Sequence, residues 1–197
     1  MNLAIVLTTF ALIIPAELPD KTFISCVVLA AKNAALPVWI GAALALVLQA
    51  LIAVVAGGLL ALLPHRDVQI VVAILFIAGA AYLIFVPEKA EEEKGGDLAG
   101  KEAPLVSNWK VFLTTFSIIA LAEFGDITQV LIANLAAKYK QPVSVFVGAS
   151  AGFVLVSAFG VLAGSTITRW VPLALVRRIS GTILLGFGVW TIVDLVK

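Results

Sequence analysis

Charge is scarce in this chain. Lys, Arg, Asp and Glu together make up 13% of its 197 residues, about half the share found in an ordinary soluble domain. Cysteine is nearly absent too. Cys26 stands alone, which excludes an internal disulfide and leaves the redox compartment open. Within its apolar run it reads as a small core residue. The formal net charge is only +1, so no basic patch suggests nucleic-acid binding. Met1–Ile14 is apolar but lacks the basic n-region of a secretory leader. Glu17 and Asp20 follow where a small-residue cleavage site is wanted, so the segment reads as the first half of a membrane helix.

What is abundant is apolar surface, at 62% of residues. A soluble fold of this size could not hide it, whereas a bilayer is a solvent for it. Runs of about 20 apolar residues mark spanning helices. The first runs from Leu3 to Ala31 and is interrupted by Glu17, Asp20 and Lys21. Pro37–Leu63 and Val68–Val86 follow. Trp109–Ala137 is interrupted by Glu123 and Asp126, and Val143–Ile167 comes next. The last run, Ile179–Val193, is short and can be extended to Pro172, with Arg177 and Arg178 snorkelling at the interface. Between the third and fourth runs, Pro87–Pro104 carries Glu88, Lys89, Glu91, Glu92, Glu93, Lys94, Asp97, Lys101 and Glu102. That stretch is too polar for lipid and reads as a solvated acidic linker.

The chain repeats itself. With an offset of 106, Thr8–Lys32 aligns on Thr114–Lys138, matching Thr8/Thr114, Thr9/Thr115, Phe10/Phe116, Glu17/Glu123, Asp20/Asp126, Thr22/Thr128 and Lys32/Lys138. Matching polar residues carry weight in so apolar a composition. At an offset of 107, Gly41-x-x-x-Ala45 falls on Gly148-x-x-x-Gly152, a spacing that lets helices approach closely in lipid. The expected organisation is therefore a three-helix repeat over 1–86, a linker over 87–107 and a second three-helix repeat over 108–197. Three spans per repeat is an odd number, so the second repeat enters from the opposite side. The fold class expected is all-α, with six transmembrane helices as two inverted three-helix repeats, a recurring design of secondary transporters.

Basic residues near span ends set orientation. Lys32, Lys89, Lys94, Lys101, Lys110, Arg169, Arg177 and Arg178 fall on the linker side, against Arg66, Lys138, Lys140 and Lys197 on the other. This places the linker in the cytoplasm and both termini outside. Lys32 and Lys138 read as interfacial anchors. Trp39, Trp109, Trp170 and Trp190 read as belt residues at span ends.

Two motifs carry the chemistry, Glu17-Leu18-Pro19-Asp20-Lys21-Thr22 and Glu123-Phe124-Gly125-Asp126-Ile127-Thr128-Gln129. Each lies midway along its span. An ionised side chain at a helix centre costs about 2.5–3.5 kcal/mol, so four carboxylates cost roughly 10–14 kcal/mol by simple addition. Protons or a cation must offset that. On a continuous helix, residues i and i+3 share a face, which pairs Glu17 with Asp20 and Glu123 with Asp126. Inverted halves meeting at those faces bring all four together. Carboxylates held close cannot all ionise cheaply, and a divalent cation displaces their protons as it binds. Such a site is in effect a proton/cation exchanger.

Backbone contributes as well. Pro15 and Pro19 lack the N–H that would bond the carbonyls of Ala11 and Pro15. Gly125 is the weak point of the second motif. On an unbroken helix Thr22 lies about 140° from Glu17, so Thr22 and Thr128 join the site only if the helices kink there. Gln129 is a similar assisting ligand. All available ligands are hard oxygens, with His65 in a loop and Cys26 six residues beyond Asp20. Oxygen sites suit Mg²⁺, Ca²⁺ and Mn²⁺ over softer ions.

The duplicated motif resembles E-x-G-D-[KR]-[ST], the hallmark of a family of cation/proton exchangers that includes the eukaryotic Golgi manganese/calcium exchanger and bacterial manganese exporters. The resemblance spans essentially the whole chain. It implies two three-helix repeats and an acidic central loop. It also implies cation binding by Glu17, Asp20, Glu123 and Asp126, with Thr22, Thr128 and Gln129 assisting. The activity implied is export of Mn²⁺ or Ca²⁺ against protons, with no enzyme activity and no resident cofactor. Two positions depart from the pattern. Pro19 replaces the first glycine, and Ile127 replaces the second base. Lys21 then remains to pair with a carboxylate in the empty state.

Other classes fit less well. An intramembrane aspartyl protease needs one Asp from each of two helices, which Asp20 and Asp126 supply, but it leaves both glutamates unexplained. An exporter of a small organic cation or amino acid needs room and few carboxylates. A passive channel differs from an exchanger only in lacking proton coupling.

Overall fold

A computed structural model describes residues 1–18, 20–60 and 107–166, with isolated positions between 70 and 85 and between 182 and 193. The third span of each half, the acidic linker, Pro19, His65, Arg66, Trp170, Trp190 and the basic residues of the linker and the C-terminal region lie outside the described residues.

Every described element is a helix: α1 Leu3–Glu17, α2 Lys21–Lys32, α3 Ala35–Leu60, α4 Asn108–Ala122, α5 Ile127–Tyr139 and α6 Pro142–Thr166. Two runs expected as single interrupted spans are each two helices. The pair α1/α2 is bent by 69° and the pair α4/α5 by 71°. Both breaks fall on the acidic motifs. Helix α1 starts at Asn2, whose side chain accepts from the Ala4 N–H at 3.0 Å. It keeps Pro15 inside and ends at Glu17. Asp20 and Asp126 take extended backbone and cap α2 and α5. The turns are closed by Asp20 N–H to Glu17 O at 3.1 Å and by Asp126 N–H to Glu123 O at 3.2 Å. Gly125 holds the second turn with φ +79°, a conformation that costs a residue with a Cβ.

Helices α3 and α6 are long and apolar enough to cross a membrane alone, and each bent pair passes the same test as a unit. With 26 and 25 residues, the two long helices measure about 39 and 37 Å. They pack on each other and form the centre of the described residues. The bent pairs then exchange partners: α1/α2 lies along α6, and α4/α5 lies along α3.

Glycines make these crossings close. A Cβ on Gly148 would strike the Val6 carbonyl, and one on Gly164 the Val27 carbonyl. The equivalent contacts are Gly41 to the Phe112 carbonyl, 2.7 Å from an added Cβ, and Gly57 to the Ala133 carbonyl. The Gly148-x-x-x-Gly152 pair seats α1 (Ile13 Cγ2 would lie 3.0 Å from a Cβ on Gly152), as expected of a spacing that lets helices approach closely. Contacts advance from Gly148 to Gly164 as the chain advances from Val6 to Val27, a rise of about 24 Å along α6. The bent pair therefore runs the length of its partner and does not double back.

Trp39 departs from expectation. It is half-buried, and its indole N–H donates to the Val154 carbonyl at 3.3 Å. It bridges α3 to the middle of α6. A buried indole N–H needs a partner, and here it finds one in protein. Trp109 is exposed and stacks on Phe112 at 5.1 Å. Cys26 is fully buried against α6.

Candidate functional site

The two breaks meet halfway along the long helices. Glu17 ends α1, Glu123 caps the end of α4, and Asp20 and Asp126 open α2 and α5. The expected i,i+3 pairing on one helix face is thus replaced by a pairing across a turn, because each helix stops between its two acids. The consequence is chemical. Two helix C-termini and two N-termini converge, and broken helices of this kind coordinate cations with C-terminal carbonyls in transporters.

One carboxylate oxygen from each of Glu17, Asp20 and Glu123 lies within 4.8 Å of the others. Metal–oxygen bonds of about 2.0–2.6 Å let oxygens this close share one ion. Asp126 joins the group through Lys21. The Lys21 ammonium contacts Asp20 Oδ2 at 3.3 Å, Glu123 Oε1 at 3.3 Å and Asp126 Oδ2 at 3.1 Å. A first-half lysine thereby holds both acids of the second motif. Its repeat equivalent, Ile127, is 42% exposed and carries no charge.

Burial is graded. Glu17 is 0% and Glu123 3% exposed, while the side chains of Asp20 and Asp126 are 16% and 25% exposed. The glutamates form the floor and the aspartates the mouth. Glu123 Oε1 also accepts from the Thr22 hydroxyl. Both Glu17 oxygens are buried with no hydrogen-bond partner among the described residues. A buried polar group without a partner is costly, and a carboxylate in that position is set up to receive a proton or an ion.

The structure sorts the assisting residues. Thr22 reaches the cluster, because the break turns its face inward. Thr128 is buried but makes no hydrogen bond to a carboxylate among the described residues. Gln129 is committed elsewhere. Its Oε1 accepts from Gly125 N–H at 2.9 Å, and its Nε2 donates to Gln49 Oε1 at 2.6 Å. Gln49 in turn donates to the Ala120 carbonyl at 2.6 Å. This chain of amides satisfies backbone groups released by the second break and ties it to α3.

Sequence reasoning missed Gln49. The signal was present, since it is the one amide side chain in α3, and such a group in lipid must find a partner. Gln49→Leu is expected to cost about 1–3 kcal/mol by stranding the Gln129 amide and the Ala120 carbonyl. A thermal melt of the purified protein in detergent reads this directly. An unchanged midpoint would mean that the amide chain contributes nothing.

Comparison with known proteins agrees with the duplication. A family model described as "Divalent cation/proton antiporter GDT1" matches residues 5–91 and again 111–197. Both ends of the two matches differ by 106, the offset at which the acidic motifs align. Protein PAM71, chloroplastic, of Arabidopsis thaliana is 29% identical over 96% of this chain and 56% of its own length. GDT1-like protein 1, chloroplastic, of Oryza sativa subsp. indica is 28% identical over 96% of this chain and 62% of its own length. The chain thus spans about three-fifths of these plant relatives. A Vibrio cholerae protein named as a candidate manganese exporter is 30% identical over 93% of this chain and 86% of its own length. No solved structure matches the chain.

Proposed function

Because this chain belongs to the divalent cation/proton antiporter GDT1 family, an integral-membrane family of transporters, we propose that it exports Mn²⁺, or else Ca²⁺, in exchange for protons, with Glu17, Asp20, Glu123 and Asp126 as the ligands. The observation that carries this reading is Glu17. Its two oxygens are buried with no hydrogen-bond partner among the described residues, and one lies within 4.8 Å of oxygens from Asp20 and Glu123. A hydrogen-bonded structural carboxylate has its partners, whereas this one faces the other acids and has none among the described residues. The hard-oxygen donor set favours Mn²⁺ or Ca²⁺ over softer ions. The name of the Vibrio cholerae relative puts Mn²⁺ first.

The architecture that fits is six spans, with inverted three-helix repeats over 1–86 and 108–197 joined by a cytoplasmic acidic linker over 87–107, and both termini outside. The direction of the contacts supports it. The start of α4 meets the start of α3, and the start of α1 meets the start of α6. The short links at residues 33–34 and 140–141 place the start of α3 beside the end of α6. Equivalent helices then run in opposite senses. The site sits at the centre, with about 12 Å of α3 from Gly41 to Gln49 and as much again to Gly57. A cation enters past the aspartates, displaces protons and reaches the glutamates. Arrival of protons from the other side releases it by alternating access.

The test uses purified protein in liposomes with a pH dye sealed inside, and Mn²⁺ or Ca²⁺ added outside. A cation-dependent internal pH change, absent from Asp20→Asn, is expected. Cation entry without a pH change would point to a channel or to another coupling ion. No entry of either ion would return the organic-cation exporter to first place.

A further inference from the structure

Among the described residues, Lys21 is the one cation inside the acidic cluster. It is the first residue of α2, directly after the Asp20 cap, and its stem carries the ammonium across to the other half. An ammonium has three donors, and here it has three carboxylate neighbours: Asp20, Glu123 and Asp126, at 3.1–3.3 Å. Asp20 and Glu123 are also two of the three residues whose oxygens lie close enough to share an ion. The ammonium and a bound ion therefore draw on the same acids. Two cations cannot occupy them together without strong repulsion at short range.

We infer that Lys21 is a tethered monovalent competitor that sets the preference of the site for divalent over monovalent cations. This rests on the reading of the acidic cluster as the cation site. A tethered group is present at an effective concentration far above that of a free ion with the same charge. A Na⁺ or K⁺ ion brings no more charge than the ammonium it would have to displace, so it loses the competition. A divalent ion brings twice the charge, takes up Glu17 as an extra ligand, and displaces the ammonium. The flexible four-carbon stem of lysine lets the head withdraw toward the partly exposed mouth beside Asp126. Position 127, which would supply a second tethered charge, holds Ile127. The four acids therefore contend with one competitor.

The experiment measures Mn²⁺ binding to the purified full chain by calorimetry, in choline chloride and in NaCl or KCl at equal ionic strength, alongside liposome exchange kinetics. Wild type is expected to bind Mn²⁺ equally in all three media. Lys21→Met is expected to bind Mn²⁺ roughly tenfold or more tightly in choline, since a nearby like charge is gone. It should then lose most of that gain in Na⁺ or K⁺. Its KM should fall together with kcat as ion release slows, whereas a merely damaged fold would raise KM. Lys21→Arg keeps the charge and should keep the insensitivity to Na⁺. Ile127→Lys, at an exposed position, adds a competitor and should weaken Mn²⁺ binding, which tests the idea even if Lys21→Met does not fold. Unchanged or weaker binding in Lys21→Met, or tighter binding in Ile127→Lys, overturns the inference while wild-type binding leaves the cation site standing. Failure of wild type to bind Mn²⁺ or Ca²⁺ overturns the site itself.

Discussion

Glu17→Gln is expected to abolish cation exchange while leaving the protein folded and inserted. The loss should be about 100-fold or more in kcat/KM, which corresponds to roughly 3 kcal/mol. Glutamine is nearly isosteric but offers one neutral acceptor where the carboxylate offers two oxygens and a charge. Stability should move the other way. Glu17 is buried with neither oxygen partnered among the described residues, so removing its charge relieves a cost, and the melting midpoint should hold or rise. Glu123→Gln makes a useful contrast. Glu123 accepts from Thr22 and neighbours the Lys21 ammonium, so its loss should cost both transport and stability. Normal exchange by Glu17→Gln in the liposome assay would remove Glu17 from the site. A collapsed midpoint would mean that it is structural.

The second large effect concerns adjacent glycines. In Gly57→Ala the new Cβ would strike the Ala133 carbonyl and lie 2.7 Å from Ala136 Cβ. Backbone cannot yield as a side-chain tip can, so α5 must shift away from α3. Overpacking of this kind costs about 1–3 kcal/mol, and the shift would travel up α5 to Asp126. Gly58→Ala, one residue on, meets nothing within 4 Å. It should be neutral or stabilising by up to about 1 kcal/mol, from helix propensity alone. The melting midpoint should fall in Gly57→Ala and hold or rise in Gly58→Ala. Equal shifts would mean that the α3–α5 contact is looser than described.

The four carboxylates and the repeat that relates them were legible in the sequence, because polar residues in so apolar a chain cannot be accidental. The turn between each pair was only half legible. Pro15, Pro19 and Gly125 marked weak points, but the i,i+3 spacing suggested one helix face where the chain instead has a turn. Partner choice was not legible. A soluble helix shows an apolar stripe that points to the core, whereas α3 and α6 are apolar all round and carry no such pointer. Apart from Gln49 in α3, the glycines alone betray which face is closely packed, and neither says against which helix. The same limit hid the commitment of Gln129. Its spacing beside Thr128 suggested a ligand, but its bond to Gln49 depends on α3 standing beside α5. The reach of Lys21 into the second motif was hidden for the same reason, since it depends on how the halves meet.

The exchange of partners between the two bent pairs bears on how such a chain could arise. A chain carrying one repeat would leave the Gly41 and Gly57 face of its long helix without a mate. It would find one only on a second copy lying head to tail against it. The present contacts are those that two separate copies of one repeat would make, here held within one chain. Identical subunits would bring identical residues to the centre, two lysines or none. Fusion removes that constraint. Once the halves are encoded separately, one can keep Lys21 while the other drifts to Ile127, and the pocket gains a charge balance that no symmetric dimer could hold.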